Sequence, residues 1–212
     1  MIIEHLREWS KLERRIKLTI QLTKDDKKLL LTIARDCILR EFHKEDEQPT
    51  FDDVPGRLRE FGATFVTLTK RGQLRGCIGT LSSYQPIVQD VCEHAKAAAF
   101  HDHRFSPVLE GEMDDIVVEV SYLTDPLPLA YTDAEDLKQK LRPGVDGVIL
   151  SEGHHRATFL PQVWEQLPDV EEFLSHLCHK MGVQGGRWKA ATLTVETYQA
   201  VHFSEGEFSD LA

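Results

Sequence analysis

The sequence predicts an α+β fold, with antiparallel β hairpins forming sheet that packs against helices. Three observations carry this. Phe65-Val66-Thr67-Leu68-Thr69 and the run from Leu74 to Thr80 are strand-like segments on either side of the polar, glycine-bearing Lys70-Arg71-Gly72-Gln73, the pattern of a hairpin. A second hairpin is predicted where Gly147-Val148-Ile149-Leu150 and Arg156-Ala157-Thr158-Phe159 flank Glu152-Gly153. Between these lie segments whose apolar residues recur at helical spacing.

Residues 1 to 20 carry Ile2, Ile3, Leu6, Trp9, Leu12 and Ile16 among charges, a helical stripe that would pack on the domain or on a second subunit. A homodimer is therefore one expectation. Thr23 followed by Asp25 and Asp26 marks a helix start, and the helix should run to about Phe42 with Leu30, Ile33, Ala34, Cys37 and Ile38 as its apolar stripe. Residues 43 to 57 read as a charged, proline-bearing loop. Ser82, Ser83 and Pro86 announce a helix to about Phe100, with Cys92 inside its apolar arc. A polar loop, His101 to Pro107, follows. Ile116 to Leu123 is the strongest strand signal and contains Glu119. Residues 133 to 141 suit a short helix. Asp169 with Glu172 reads as a capping box for a helix ending near Gly182, with Cys178 on the buried side and His176, His179 and Lys180 on the other. A strand from Ala191 to Val195, and a further one, close the chain.

Composition narrows the function. A net charge of −10 disfavours nonspecific contact with nucleic acid or an anionic membrane surface, both of which want a basic protein. No apolar run approaches the ~20 residues of a bilayer-spanning helix, and the first fifteen residues lack a signal-peptide core. A cytoplasmic location follows as the default expectation. Four cysteines in 212 residues suggest reduced thiols rather than a disulfide framework. No Walker A loop, GxGxxG or GxSxG motif is present. His101-Asp102-His103, His154-His155 and His176 to His179 lack the spacing of a metal site, so neither a metal nor another cofactor is expected.

The stretch most suggestive of a site is Leu74-Arg75-Gly76-Cys77-Ile78-Gly79. Strand alternation puts Arg75 and Cys77 on one face and Leu74, Gly76 and Ile78 on the other. With the turn centred on Arg71-Gly72, Val66 opposes Cys77 and Leu68 opposes Arg75. A guanidinium beside a thiol favours the thiolate, whereas an apolar face raises its pKa. The glycines let a ligand or another backbone come close; they also suffice for a strand that merely bends around a small buried cysteine. A cysteine nucleophile needs a base, most often histidine, but ten histidines leave the choice open on spacing alone. Glu119, inside a strand, is either a satisfied edge charge or a site carboxylate.

This hexapeptide resembles the signature of the AMMECR-one domain family, the protein A-like member of the AmmeMemoRadiSam group. Thr158-Phe159-Leu160-Pro161-Gln162-Val163-Trp164 and Phe173-Leu174-Ser175-His176-Leu177-Cys178 are similar to its later motifs, in the same order. The resemblance covers residues 21 to 204, leaving 1 to 20 as a helical extension and 205 to 212 as a tail. It departs at His103, where the family usually has proline. It implies two lobes of unequal size, with the signature hairpin near the cleft between them. His176 matches a family motif and is the first choice of base. Arg156 is similar to the family's basic residue before Thr-Phe-Leu-Pro.

Two functions remain open. One is a cysteine-dependent enzyme, with Cys77 as nucleophile, Glu119 or His176 handling protons, and Arg75, Gly76, Gly79 and Arg156 contacting an anionic substrate. The other is a non-catalytic binding or adaptor module with a structural Cys77, working with the Memo-like and radical-SAM proteins that the resemblance implies as partners.

Overall fold

The computed structural model describes residues 21–43, 50–190 and 193–208; the N-terminal stripe lies outside the described residues. The fold is α+β, as the sequence predicts, and divides into two compact units, residues 1–124 with 202–212 and residues 125–201.

The larger unit begins with helix α1 (Lys24–His43). The Asp26 carboxylate accepts from Thr23 N and Oγ1, both at 2.7 Å, and Thr23 Oγ1 accepts from Asp26 N. These reciprocal bonds satisfy amides that a helix N-terminus leaves open. Strands β1 (Phe61–Lys70) and β2 (Gln73–Gly79) form the first hairpin. Strand β3 (Gln85–Pro86) leads into helix α2 (Ile87–Phe100), and β4 (Ile116–Leu123) and β9 (Ala200–Ser204) complete the sheet. Its order is β2-β1-β4-β9, with β3 paired to β1. Glu119 thus stands in an interior strand, not at an edge.

One face of this sheet is covered. Val66, Leu68, Val118 and Val120 are buried with Leu30, Leu31 and Ile38 of α1 and Ile87, Val91, Ala95 and Ala98 of α2. Leu31 takes the place in the buried arc expected for Ile33. The alternate residues Phe65, Thr67 and Glu119 face outward and are only half-buried. The C-terminal segment does not trail off at 205. Glu205 is buried and receives Arg35 Nε and Nη2 and the amide of Val118, and Phe208 joins the core.

Cys37 and Cys92 form a disulfide, Cα atoms 5.6 Å apart, joining α1 to α2. The expectation of four reduced thiols therefore fails for two of them. Each was placed correctly on an apolar helix stripe. What the sequence does not show is that the two stripes face each other.

The smaller unit has a sheet ordered β5-β8-β6-β7, built from β5 (Leu127–Pro128), β6 (Gly147–Glu152), β7 (His155–Phe159) and β8 (Thr194–Tyr198). Helices α3 (Ala134–Lys140) and α4 (Val170–Lys180) are capped by Asp133 and Asp169, each carboxylate accepting from two amides of the first turn. Phe173, Leu174, Leu177 and Cys178 bury against Val148, Leu150, Trp164 and Trp188. Burial pushes the Cys178 thiol up, as suits a core cysteine. Strand β8 starts at Thr194, and residues 191 and 192, where the closing strand was expected to begin, lie outside the described residues.

Candidate functional site: a cysteine row on the large sheet

The β1–β2 hairpin turns at Arg71 (φ 51) and Gly72 (φ 78), the two left-handed positions of a type I′ loop. From there the pairing runs Lys70↔Gln73 and Thr69↔Leu74, then skips to Leu68↔Gly76 and Thr67↔Cys77. Arg75 is an extra residue in β2, a β-bulge. One extra residue moves every later side chain to the other face of its partner. Cys77 therefore opposes Thr67, not Val66, and Leu74 no longer shares a face with Gly76 and Ile78. The apolar residue expected opposite Cys77 gives way to a threonine.

The consequence is a row across three strands. Thr67 pairs with Cys77 on one side and with Glu119 on the other, and directly opposed residues in antiparallel strands point to the same face. Cys77, Thr67 and Glu119 thus stand side by side, half-buried, on one face of the sheet. Thr67 Oγ1 donates to Cys77 Sγ at 3.3 Å. Among the sequence-predicted site residues, Cys77 and Glu119 are brought together, and Thr67 between them was not singled out.

Arg75 goes elsewhere. Its Nε and Nη2 donate to the Glu112 carboxylate, at 3.3 and 2.9 Å. Nη1 and Nη2 donate to the carbonyls of Ser106 (2.8 Å) and Pro107 (3.2 Å). Lys70 Nζ adds a 2.8 Å bond to Glu112. The Arg75 and Lys70 bonds, with the amide of Leu109, hold the Glu112 carboxyl down at about 2. A carboxyl depressed on folding stabilises fully above its ordinary value of 4.5 and loses that contribution as pH falls toward about 2. Glu112→Gln should accordingly flatten the stability–pH curve over this interval, and chemical denaturation at a series of pH values would show it. An open depression of about 720 Å3, lined by Lys70, Arg75, Phe105, Pro107, Leu109 and Glu112 among others, lies at this clamp rather than at Cys77.

The two glycines are occupied by the chain itself. A Cβ on Gly76 would meet the Ala98 carbonyl oxygen of α2 well under 3.0 Å, and one on Gly79 would meet Phe65 and the Thr64 carbonyl oxygen. The close approach their small size permits is that of a neighbouring backbone.

The groups that engage the Cys77 backbone come from the loop after α2. Cys77 N donates to Asp102 Oδ2 at 2.9 Å, and Arg104 Nη2 donates to the Cys77 carbonyl oxygen at 3.2 Å. Both residues lie in the polar run noted in the sequence. Their signal there was only an aspartate and an arginine two apart. His176, exposed on α4, has its ring 6.3 Å from that of His179. Arg156 donates to Glu196 at 3.1 Å. Both belong to the smaller unit. Among the described residues, no group of three or more histidines, cysteines or acids is disposed to hold a metal ion, and no helix is long and apolar enough to cross a membrane.

Residues 31–203 match the AMMECR1 family model. A protein of Methanothermobacter thermautotrophicus is 39% identical over 185 residues, covering 87% of this chain and 96% of its own length. One of Thermofilum pendens is 36% identical over 196 residues, covering 87% and 92%. The crystal structure of an uncharacterized protein from Pyrococcus horikoshii superposes with a TM-score of 0.81 at 33% identity, covering 87% of this chain and 94% of that one. The signature hexapeptide, the two later motifs and these matches agree: the chain belongs to the AMMECR1 family.

Proposed function

We propose that the face of the large sheet bearing Cys77 carries a thiol-centred site in which Cys77 is the nucleophile or covalent acceptor. The observation that supports this is the Cys77–Thr67–Glu119 row. A hydroxyl donating to sulfur favours the thiolate, because a hydrogen bond to the charged form lowers a pKa. Glu119, in the same row, is the carboxylate this reading assigns to proton handling, and His176 is the second candidate. Arg75 and Arg156 remain the groups to meet an anionic substrate, and each already binds a carboxylate, so an incoming anion would compete with Glu112 or Glu196. Arg156 is half exposed with one such bond.

A second reading, a binding or adaptor module, is favoured by the packing at Gly76 and Gly79, which makes the hairpin rigid without any use of the sulfur. Its partners would be Memo-like and radical-SAM proteins, with a cytoplasmic setting.

The pH dependence of alkylation at Cys77, followed by peptide mass mapping, separates the two. The thiol reading expects a midpoint below the ~8.5 of a free cysteine, and Thr67→Val should raise it by roughly a unit. A midpoint at or above that value, unmoved in Thr67→Val, would leave the binding module.

A further inference from the structure

We propose that Asp102 and Arg104 are positioning residues for the Cys77 thiol, fixing the edge strand through its backbone and setting opposite charges on either side of that backbone. The proposal rests on the thiol-centred reading above.

β2 is a terminal strand of its sheet, and the outer groups of such a strand ordinarily point to solvent. At Cys77 they do not. The carboxylate of Asp102 takes the N–H and the guanidinium of Arg104 reaches the carbonyl. The two side chains are themselves locked together, Arg104 Nε to Asp102 Oδ1 at 2.9 Å and Nη2 to Oδ2 at 2.6 Å. The result is a closed ring through Cys77 N–H, carboxylate, guanidinium and Cys77 C=O. Pinning the backbone on both sides of Cα fixes the direction in which Cβ and Sγ leave it, toward Thr67. Asp102 is fully buried whereas Arg104 is half exposed, 2% and 48% by side chain. Burying a charge is costly unless it is paired and hydrogen-bonded, and a backbone-only loop could have covered the same edge without that cost.

The bond from Arg104 holds the Asp102 carboxyl well below the usual carboxylate range, so both groups are charged around neutral pH. The guanidinium favours a thiolate at Cys77 and the carboxylate opposes it. Other charged or titratable groups on the elements packed around this part of the sheet include Arg75 on β2, Lys70 on β1, Glu119 on β4, Glu112 at the Arg75 clamp, His101 and His103 in the same loop as the pair, and Asp90, Glu93, His94 and Lys96 on α2. Substitutions confined to Asp102 and Arg104 leave all of these in place.

The test is the alkylation profile of Cys77 in the full chain, with Arg104→Gln, Arg104→Lys and Asp102→Asn. Arg104→Gln leaves the carboxylate unbalanced and should slow labelling roughly tenfold at a pH below the midpoint, a shift of about one unit upward. Asp102→Asn leaves the guanidinium unbalanced and should shift the midpoint downward. Arg104→Lys keeps the charge and should stay near the parent. A purely structural role would move the Gln and Asn variants in the same direction. Shifts of one sign, or none, in variants that still unfold cooperatively would overturn the proposal. Should Asp102→Asn fail to fold, the half-exposed position 104 decides, and equal midpoints for Gln and Lys would refute the pair's role. The parent's absolute midpoint judges the thiol reading separately, so either idea can fail alone.

Discussion

Gly76→Ala is expected to destabilise the larger unit by about 3 kcal/mol, near the upper end of the costs of overpacking. The added methyl would enter the space held by the Ala98 carbonyl oxygen. That oxygen belongs to the last turn of α2, which is anchored along its length by Ile87, Val91 and Ala95 in the core. A backbone carbonyl cannot rotate away as a flexible side chain can, so β2 or the helix end must shift. Gly111→Ala, where nothing lies within 4 Å of the new atom, is the control and should stay within about 0.5 kcal/mol of the parent. Denaturant unfolding of the two variants makes the comparison. Equal midpoints for them would mean that the hairpin and helix do not approach as closely as described.

Removing the Cys37–Cys92 bridge should cost about 4 kcal/mol. The two residues are separated by 55 positions, and in the chain-entropy account a loop of that size restricts the unfolded chain by roughly this amount. The bridge joins the two helices that cover the sheet, and both residues are nearly inaccessible, 3% and 5% exposed. Reductant acting on the native protein should therefore be slow, and reduction should proceed with unfolding. Unfolding curves with and without reductant, alongside Cys37→Ser/Cys92→Ser, measure the effect. Coincident curves would show that the bridge contributes nothing. Its presence also removes the argument from cysteine usage for a reducing compartment.

Much of the fold is readable in the residues. Asp169 caps the helix it announces, and Ile116–Leu123 is a strand over its predicted length. These features are local, decided by side-chain chemistry within a few positions. The site was half legible. Cys77 and Glu119 were chosen, but their surroundings depend on the bulge at Arg75, and a single inserted residue leaves no mark on hydrophobic periodicity. Alternation counted back from the turn placed Cys77 on the wrong face relative to β1 for that reason alone. The partners of Arg75 lie 31 to 37 positions away, and the Cys37–Cys92 pairing spans more. Such contacts are set by how elements pack, which spacing along the chain does not encode.

The loop from Asp102 to Pro107 has one more consequence, for how copies of this protein behave toward each other. A bare terminal strand is a template onto which another chain can add, the first step toward edge-to-edge aggregation. Here the stretch Arg75–Cys77 is overlaid by a side-chain ion pair and anchored to two loop carbonyls, and the bulge twists the strand away from flat pairing. The hairpin that carries the family signature is thereby shielded from self-templating along this stretch of its outer rim. Loosening this loop would bare the strand to such pairing.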